Sequence, residues 1–287
     1  MRRNTLCSAP VLLLCLVAVL LTPRFALAAP QTTPLPLALC APENTFTLNI
    51  DNDYFPLPVG RVWVYTGKEQ GQNVGLRVTV LDATETFHFG GGQNITTRVV
   101  REEEWADTNA NGVIDPGEQL IEVSLNYFAQ TAGGTVCYFG ENVDIYEDGQ
   151  VVSYEGSWRA DGRRGLPGSA PGIFMPAAPA PGLTFQQEVA PGVAEDQATI
   201  TRTGTATVDG TVINTITVRD FNPLDGSKGT KVYAEGVGLI QDGPLRLFPS
   251  GDDGARRRRP VARRVKTENV PPLFAPRGGR TRVSITT

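Results

Sequence analysis

The sequence predicts an all-β fold, either an antiparallel sandwich or an open barrel or half-barrel, with one long loop inserted. Three observations carry that reading. Short stretches alternate polar and apolar residues with a period of two. Turn signals of Gly, Asp and Pro separate them, in a chain of 287 residues with 31 Gly and 22 Pro. No segment sustains a long helical period of apolar residues.

The strands follow in order. Arg61 to Gly67 sets Val62, Val64 and Thr66 against Trp63 and Tyr65. Val74 to Leu81 puts Val74, Leu76, Val78 and Val80 on one face. Phe87, Phe89 and then Thr96 to Val100 continue the pattern past Gly90-Gly91-Gly92. Ile121 to Ala129, Thr135 to Phe139, Val143 to Tyr146 and Val151 to Trp158 make a middle group. Ala198 to Val208, Thr211 to Phe221 and Thr230 to Ala234 make a last one. Val208-Asp209-Gly210-Thr211 and Glu147-Asp148-Gly149-Gln150 read as two-residue hairpin turns, because Asp-Gly tolerates the positive φ such turns need. Pro167 to Pro181, rich in Pro, Gly and Ala, reads as a long connection that divides the body into halves.

The ends of the chain differ from this body. Arg2 and Arg3, the apolar run Val11 to Leu21 and the small-residue exit Ala26-Leu27-Ala28 make a secretory signal peptide over residues 1–28. The run is short for a membrane span, so no transmembrane segment is expected after cleavage. An N-terminal lead covers 29–55, and the β-rich domain covers 56–250. From Ala29 to Ser250 there are 27 acidic and 13 basic residues, a balance of −14. From Gly251 to Thr287 there are 10 basic and 3 acidic, a balance of +7. That segment, with Arg256-Arg257-Arg258-Arg259 and four prolines, has little to bury and reads as a disordered basic tail over 251–287. An anionic envelope surface suits its charge. Export and the lack of interleaved aromatics argue against specific nucleic-acid binding.

Cleavage of the signal would remove Cys7 and Cys15 and leave Cys40 and Cys137. An even pair in an oxidising compartment suits one disulfide, and two separate buried thiols fit the sequence as well. The reading is of an exported protein, periplasmic or extracellular.

The most specific chemical motif is Asp107-Thr108-Asn109-Ala110-Asn111-Gly112-Val113-Ile114-Asp115-Pro116-Gly117-Glu118. Calcium takes about six to eight hard oxygen ligands around a tightly curled backbone. Asp107 supplies a first carboxylate, and Asn109 and Asn111 supply amide oxygens. Val113 offers its carbonyl, Asp115 binds directly or through water, and Glu118 closes with both oxygens. Gly112 occupies the sharp turn, where a Cβ would strain the chain. Ile114 is expected to point inward and pin the loop. This segment resembles the EF-hand calcium loop, but its flanks do not read as helices. Ile121 to Ala129 alternates as a strand, and Asp115, Pro116 and Glu118 suggest at most one helical turn before it. With no second such loop in the sequence, the resemblance implies a single, weak Ca2+ site that stabilises structure, not a paired sensor.

A second resemblance is carried by Tyr54-Phe55-Pro56-Leu57-Pro58-Val59-Gly60-Arg61-Val62-Trp63-Val64-Tyr65, by Tyr138-Phe139-Gly140-Glu141, by Tyr154-Glu155-Gly156-Ser157-Trp158, by Pro171-Gly172-Ile173-Phe174-Met175-Pro176, by Ala194-Glu195-Asp196, and by Tyr233-Ala234-Glu235-Gly236-Val237-Gly238-Leu239-Ile240. In these the chain resembles a family of uncharacterised exported bacterial β-rich proteins. That resemblance implies a fold and no settled activity, so no catalytic residue is carried over.

Enzyme signatures are thin. His88 is the one histidine and stands without a Ser or Cys motif. Glu102-Glu103-Glu104, Glu188, Glu195 and Asp196 read most simply as a solvated acidic surface. The leading expectation is therefore an exported calcium-binding protein. A barrel-like carrier of an apolar ligand is the alternative, followed by a carboxylate-dependent glycan hydrolase.

Overall fold

A computed structural model describes residues 32–248. The predicted signal peptide (1–28), the start of the lead and the basic tail (251–287) lie outside the described residues.

The alternating segments form strands. These are β1 (Thr33–Pro34), β2 (Phe46–Thr47), β3 (Val62–Glu69), β4 (Gln72–His88), β5 (Asn94–Ala106), β6 (Leu120–Thr131), β7 (Val136–Glu147) and β8 (Gln150–Ser153). Then come β9 (Trp158–Arg159), β10 (Gly172–Met175), β11 (Leu183–Gln186), β12 (Gln197–Val208), β13 (Thr211–Phe221), β14 (Lys228–Ala234), β15 (Gly238–Asp242) and β16 (Leu245–Leu247). They make one sheet, all-β and almost wholly antiparallel; the β1–β11 pair is parallel. Among the described residues no helix is long and apolar enough to cross a membrane.

The sheet is two meanders joined edge to edge. One runs β3 to β7 and the other β11 to β16. The join is β16 on β3, with Leu247 opposite Tyr65. The far ends of the path also approach each other. A Cβ on Gly172 at the start of β10 would stand 1.9 Å from the Gln187 carbonyl oxygen, just past β11. Only glycine permits that approach, and the sheet thereby curls into an open barrel around its inner face.

Both Asp-Gly turns form as hairpins, with Asp209 at φ 47° and Gly210 at φ 77°, and Asp148 at 49° and Gly149 at 74°. Other boundaries differ from the sequence reading. The segments Thr135–Phe139 and Val143–Tyr146 are one strand, β7, bulged near Gly140. Val151 to Trp158 is two short strands, both on β7. Pro167 to Pro181 is more than a connection, because it contains β10, which pairs with β7.

The lead is packed into the body. Cys40, Ile50 and Asn52 are buried. Asn52 Nδ2 donates to the carbonyls of Gly134 and Pro176, both at 3.0 Å, and its Oδ1 accepts from the Tyr54 and Phe55 amides. Cys40 and Cys137 are disulfide-bonded, closing a separation of 97 residues. These ties seat Phe55 against Phe174 and Phe128, with ring centroids at 4.4 and 5.3 Å. The lead thus supplies part of the aromatic floor of the barrel interior.

Candidate functional site

Two regions gather the side chains that could do chemistry: the loop between β5 and β6, and the barrel interior.

The loop leaves β5 after Ala106 and returns before Leu120, and the Ala106 amide donates to the Gln119 carbonyl at 2.9 Å. Asp107 to Glu118 therefore hangs from the ladder as a closed ring. Asp107 is fully buried; its Oδ1 accepts from the Asn111 amide (3.1 Å) and its Oδ2 from the Gly112 amide (2.9 Å). Asn109 and Asn111 each donate through Nδ2 to Asp115 Oδ2 at 2.8 Å. Glu118 spans the mouth. Its Oε1 accepts from the Thr108 amide and hydroxyl, and its Oε2 accepts from the Asp115 amide. Val113 is 55% exposed.

Gly112 has φ +71°, and a Cβ there would meet Val64 Cγ1 at 3.2 Å and Thr66 Cγ2 at 3.4 Å. The loop rests on β3 through this glycine. Ile114 is only half-buried, so it does not pin the loop to the core as expected. Nor does a helical turn form before β6; Pro116 and Gly117 make a plain turn. Gly117 at φ +97° interrupts what a helix would need. The strand expected after the loop is β6.

The donors around the loop stabilise negative charge. Hydrogen bonds from Asn109 and Asn111 hold the Asp115 carboxyl below its ordinary range. The Asp115 amide does the same for Glu118, helped by Thr108. Among the described residues no three His, Cys, Asp or Glu side chains gather tightly enough to hold an ion by themselves. A cation here would need the two Asn amides and the Val113 carbonyl as well.

The barrel interior is different. A cavity of about 180 Å³ lies against the inner face. Its aromatic walls are Trp63 and Tyr65 from β3, Phe128 from β6, Tyr138 from β7, Phe174 from β10 and Tyr233 from β14. Its carboxylates are Glu102 from β5, Glu141 from β7, Asp242 from β15, and Glu188 and Asp196 from the β11–β12 connection. Lys231 is the one cationic side chain lining it among the described residues. That ammonium is already engaged, 3.2 Å from Asp220 and 3.7 Å from Asp242.

This corrects the expectation of a solvated acidic surface. On β5, Glu102 and Glu104 share the inward face of Val100, opposite Ser124 and Glu122 of β6. Glu103 points the other way and is buried between Arg77 (2.7 Å) and Arg101 (2.9 Å). Burial pushes the Glu102 carboxyl up to about 7, although Lys231 pulls it down. Burial and then Asp196 push Glu188 to about 7. Burial and then Glu69 push Glu104 to about 7. Glu141 is held well above the carboxylate range by burial, then by Glu188, Glu122 and Glu102. Burial alone would lower the Lys231 ammonium, but Asp242 and Asp220 override it and hold it well above its usual value.

Glu102 lines the cavity and retains partial exposure. Two carboxylate oxygens, Asp196 Oδ1 and Asp220 Oδ1, are buried with no hydrogen-bond partner among the described residues. His88 stands apart at the end of β4 and hydrogen-bonds Asn94. The sequence signal for the cavity was present but weak. Acids at alternate positions of a strand otherwise apolar on that face are inward acids, once the face is known.

Comparison with known proteins finds no matching family model, no similar curated protein and no similar solved structure.

Proposed function

We propose that this is an exported protein that binds one calcium ion in the loop Asp107–Glu118, and that the ion stabilises the barrel where the loop rests on β3. The observation that supports it is the ring of acceptors. Asp107, Asp115 and Glu118 stand at the two ends of a twelve-residue loop, with Asn109 and Asn111 already turned toward Asp115. In this arrangement the two amides occupy with donors the place where a cation would sit. Rotating both amides would present their oxygens instead, joining the carboxylates and the Val113 carbonyl as an oxygen cage. The cost is two amide–carboxylate hydrogen bonds together with the Asn111 and Val113 amide bonds that Asn109 Oδ1 and Asn111 Oδ1 accept, which a divalent ion must outweigh. Affinity on the order of 0.1–1 mM suits an exposed loop in a calcium-rich extracellular setting. The Cys40–Cys137 bond agrees with an oxidising compartment. The family resemblance and the basic tail's affinity for an anionic envelope rest on the sequence alone.

Calcium titration by calorimetry tests the reading, with Asp115→Ala and Glu118→Ala as controls. A saturable heat in the parent protein that both variants lose is the expected result. Equal heats in all three proteins, or none in any, would overturn it.

A further inference from the structure

The interior cavity holds an arrangement that loop calcium does not explain. Glu102, Glu141, Glu188 and Asp196 reach it from three different parts of the sheet, and none of them forms an ion pair among the described residues. Lys231 is ion-paired to Asp220 and Asp242 and acts on Glu102, Glu188 and Asp196 only from a distance, so one ammonium is shared among all of these acids. Asp196, which lines this space, has its Oδ1 buried and without a hydrogen-bond partner; Asp220, outside the lining, also has an unpartnered Oδ1, while its Oδ2 pairs with Lys231. Asp220 itself is 93% buried, with only 7% of its surface exposed. Glu188 accepts from the Asp196 amide and Glu141 meets the Tyr138 hydroxyl, but five carboxylates and a single ammonium line the space, an excess of acid that a positive ligand would complement.

The remaining wall identifies the kind of positive ligand. Tyr65, Phe128, Tyr138, Phe174 and Tyr233 surround the same space. Phe128 stacks on Tyr138 at 4.8 Å, and Phe174 meets Phe128 edge-on at 4.9 Å. Aromatic faces are poor ligands for a bare metal ion but favourable ones for an organic cation, through cation–π attraction, and the rings add apolar contact for its carbon body. A purely apolar ligand would leave the carboxylates uncorrected. The volume, about 180 Å³, suits a molecule of roughly benzene size.

We infer that the barrel interior is a binding site for a small organic cation, an amine or quaternary ammonium, whose charge lies among Glu102, Glu141, Glu188 and Asp196 and whose carbon body rests on Tyr65, Phe128 and Tyr233. The site is separate from the calcium loop and independent of it.

Titration of the purified protein with choline and with phenethylamine tests this. Their neutral counterparts 3,3-dimethyl-1-butanol and 2-phenylethanol, and glucose, are the comparison ligands. At least one cation binds, and its neutral counterpart binds ten-fold or more weakly. Glu102→Gln and Glu188→Gln each weaken the cation ten-fold or more. Both keep the side-chain shape and remove a repelled charge, so both fold. Glu155→Gln on the exposed surface and Glu118→Ala in the loop leave the affinity unchanged. Binding of cation and neutral counterpart with equal strength, preference for glucose, or no binding of any probe overturns the inference. So does cation binding that the Glu102 and Glu188 variants retain.

Discussion

The loop and the cavity are both built from carboxylates, and they treat them in opposite ways. In the loop, Asp115 and Glu118 are ringed by N–H and O–H donors and are held below their ordinary range. In the cavity, burial outweighs the pull of Lys231 on Glu102 and Glu188 and the Asp196 amide's bond to Glu188, and both rise to about 7. The residue types are nearly the same. What differs is burial: donors dominate around the open loop acids and desolvation dominates around the cavity acids, and that decides whether an acid is ionised or half-protonated at neutral pH.

The comparison can be tested by changing each region alone. The largest effect is expected from the Cys40→Ser, Cys137→Ser pair, which releases the lead that carries Phe55 to the cavity floor. Stability measured by denaturant falls by about 2–5 kcal/mol. Calcium affinity at the loop should be unchanged, since the loop has no contact with the lead in the hydrogen-bond network described above.

Asp107→Ala comes next. It strips the Asn111 and Gly112 amides of their buried acceptor, costing about 1–3 kcal/mol even without calcium. The same loss with and without calcium would show that the ion does not use this residue.

Of similar size is the pH dependence. Glu102 and Glu188 titrate near 4.5 when unfolded and near 7 when folded. Between those values the folded state keeps protons that the unfolded state has released. Their contribution is therefore most favourable at low pH and is lost as pH rises through about 4.5 to 7. Glu102→Gln removes its share, and should raise the melting temperature at pH 8 while leaving it nearly unchanged at pH 4. The gain at pH 8 is about 1–3 kcal/mol after allowance for partial exposure to the cavity. A variant less stable than the parent at pH 8 would mean that Glu102 is better solvated than the structure implies.

Calcium itself has a smaller effect. At about 10 mM, with affinity on the order of 0.1–1 mM, it adds about 1.4–2.7 kcal/mol to the melting free energy by mass action. Gly112→Ala is the smallest change. A Cβ at φ +71° against Val64 costs about 1 kcal/mol and lifts the loop from β3. Melting of that variant with and without calcium shows whether loop seating and ion binding are coupled.

Much of the fold was legible because its signals are local. Period-two alternation marked β3, β6, β12 and β13, and Asp-Gly marked two hairpins. The short strands β10, β11, β15 and β16 were not marked. Each has five residues or fewer and depends on a partner far along the chain. The twelve loop positions were readable for the same local reason, since the ring closes within its own span. The cavity was only faintly marked, by acids at alternate positions of β5, because Glu102, Glu141, Glu188 and Asp196 meet only when both meanders curl together.

The sequence by itself determined the strand type, the tight turns and the spacing of the loop's oxygen-bearing side chains, all set by neighbours a few residues apart. Only the tertiary structure decided that β16 closes on β3, that Cys40 meets Cys137, and that the acids of β5 face inward. Alternation defines two faces without naming the inner one, and that choice belongs to the way the whole sheet buries its apolar residues.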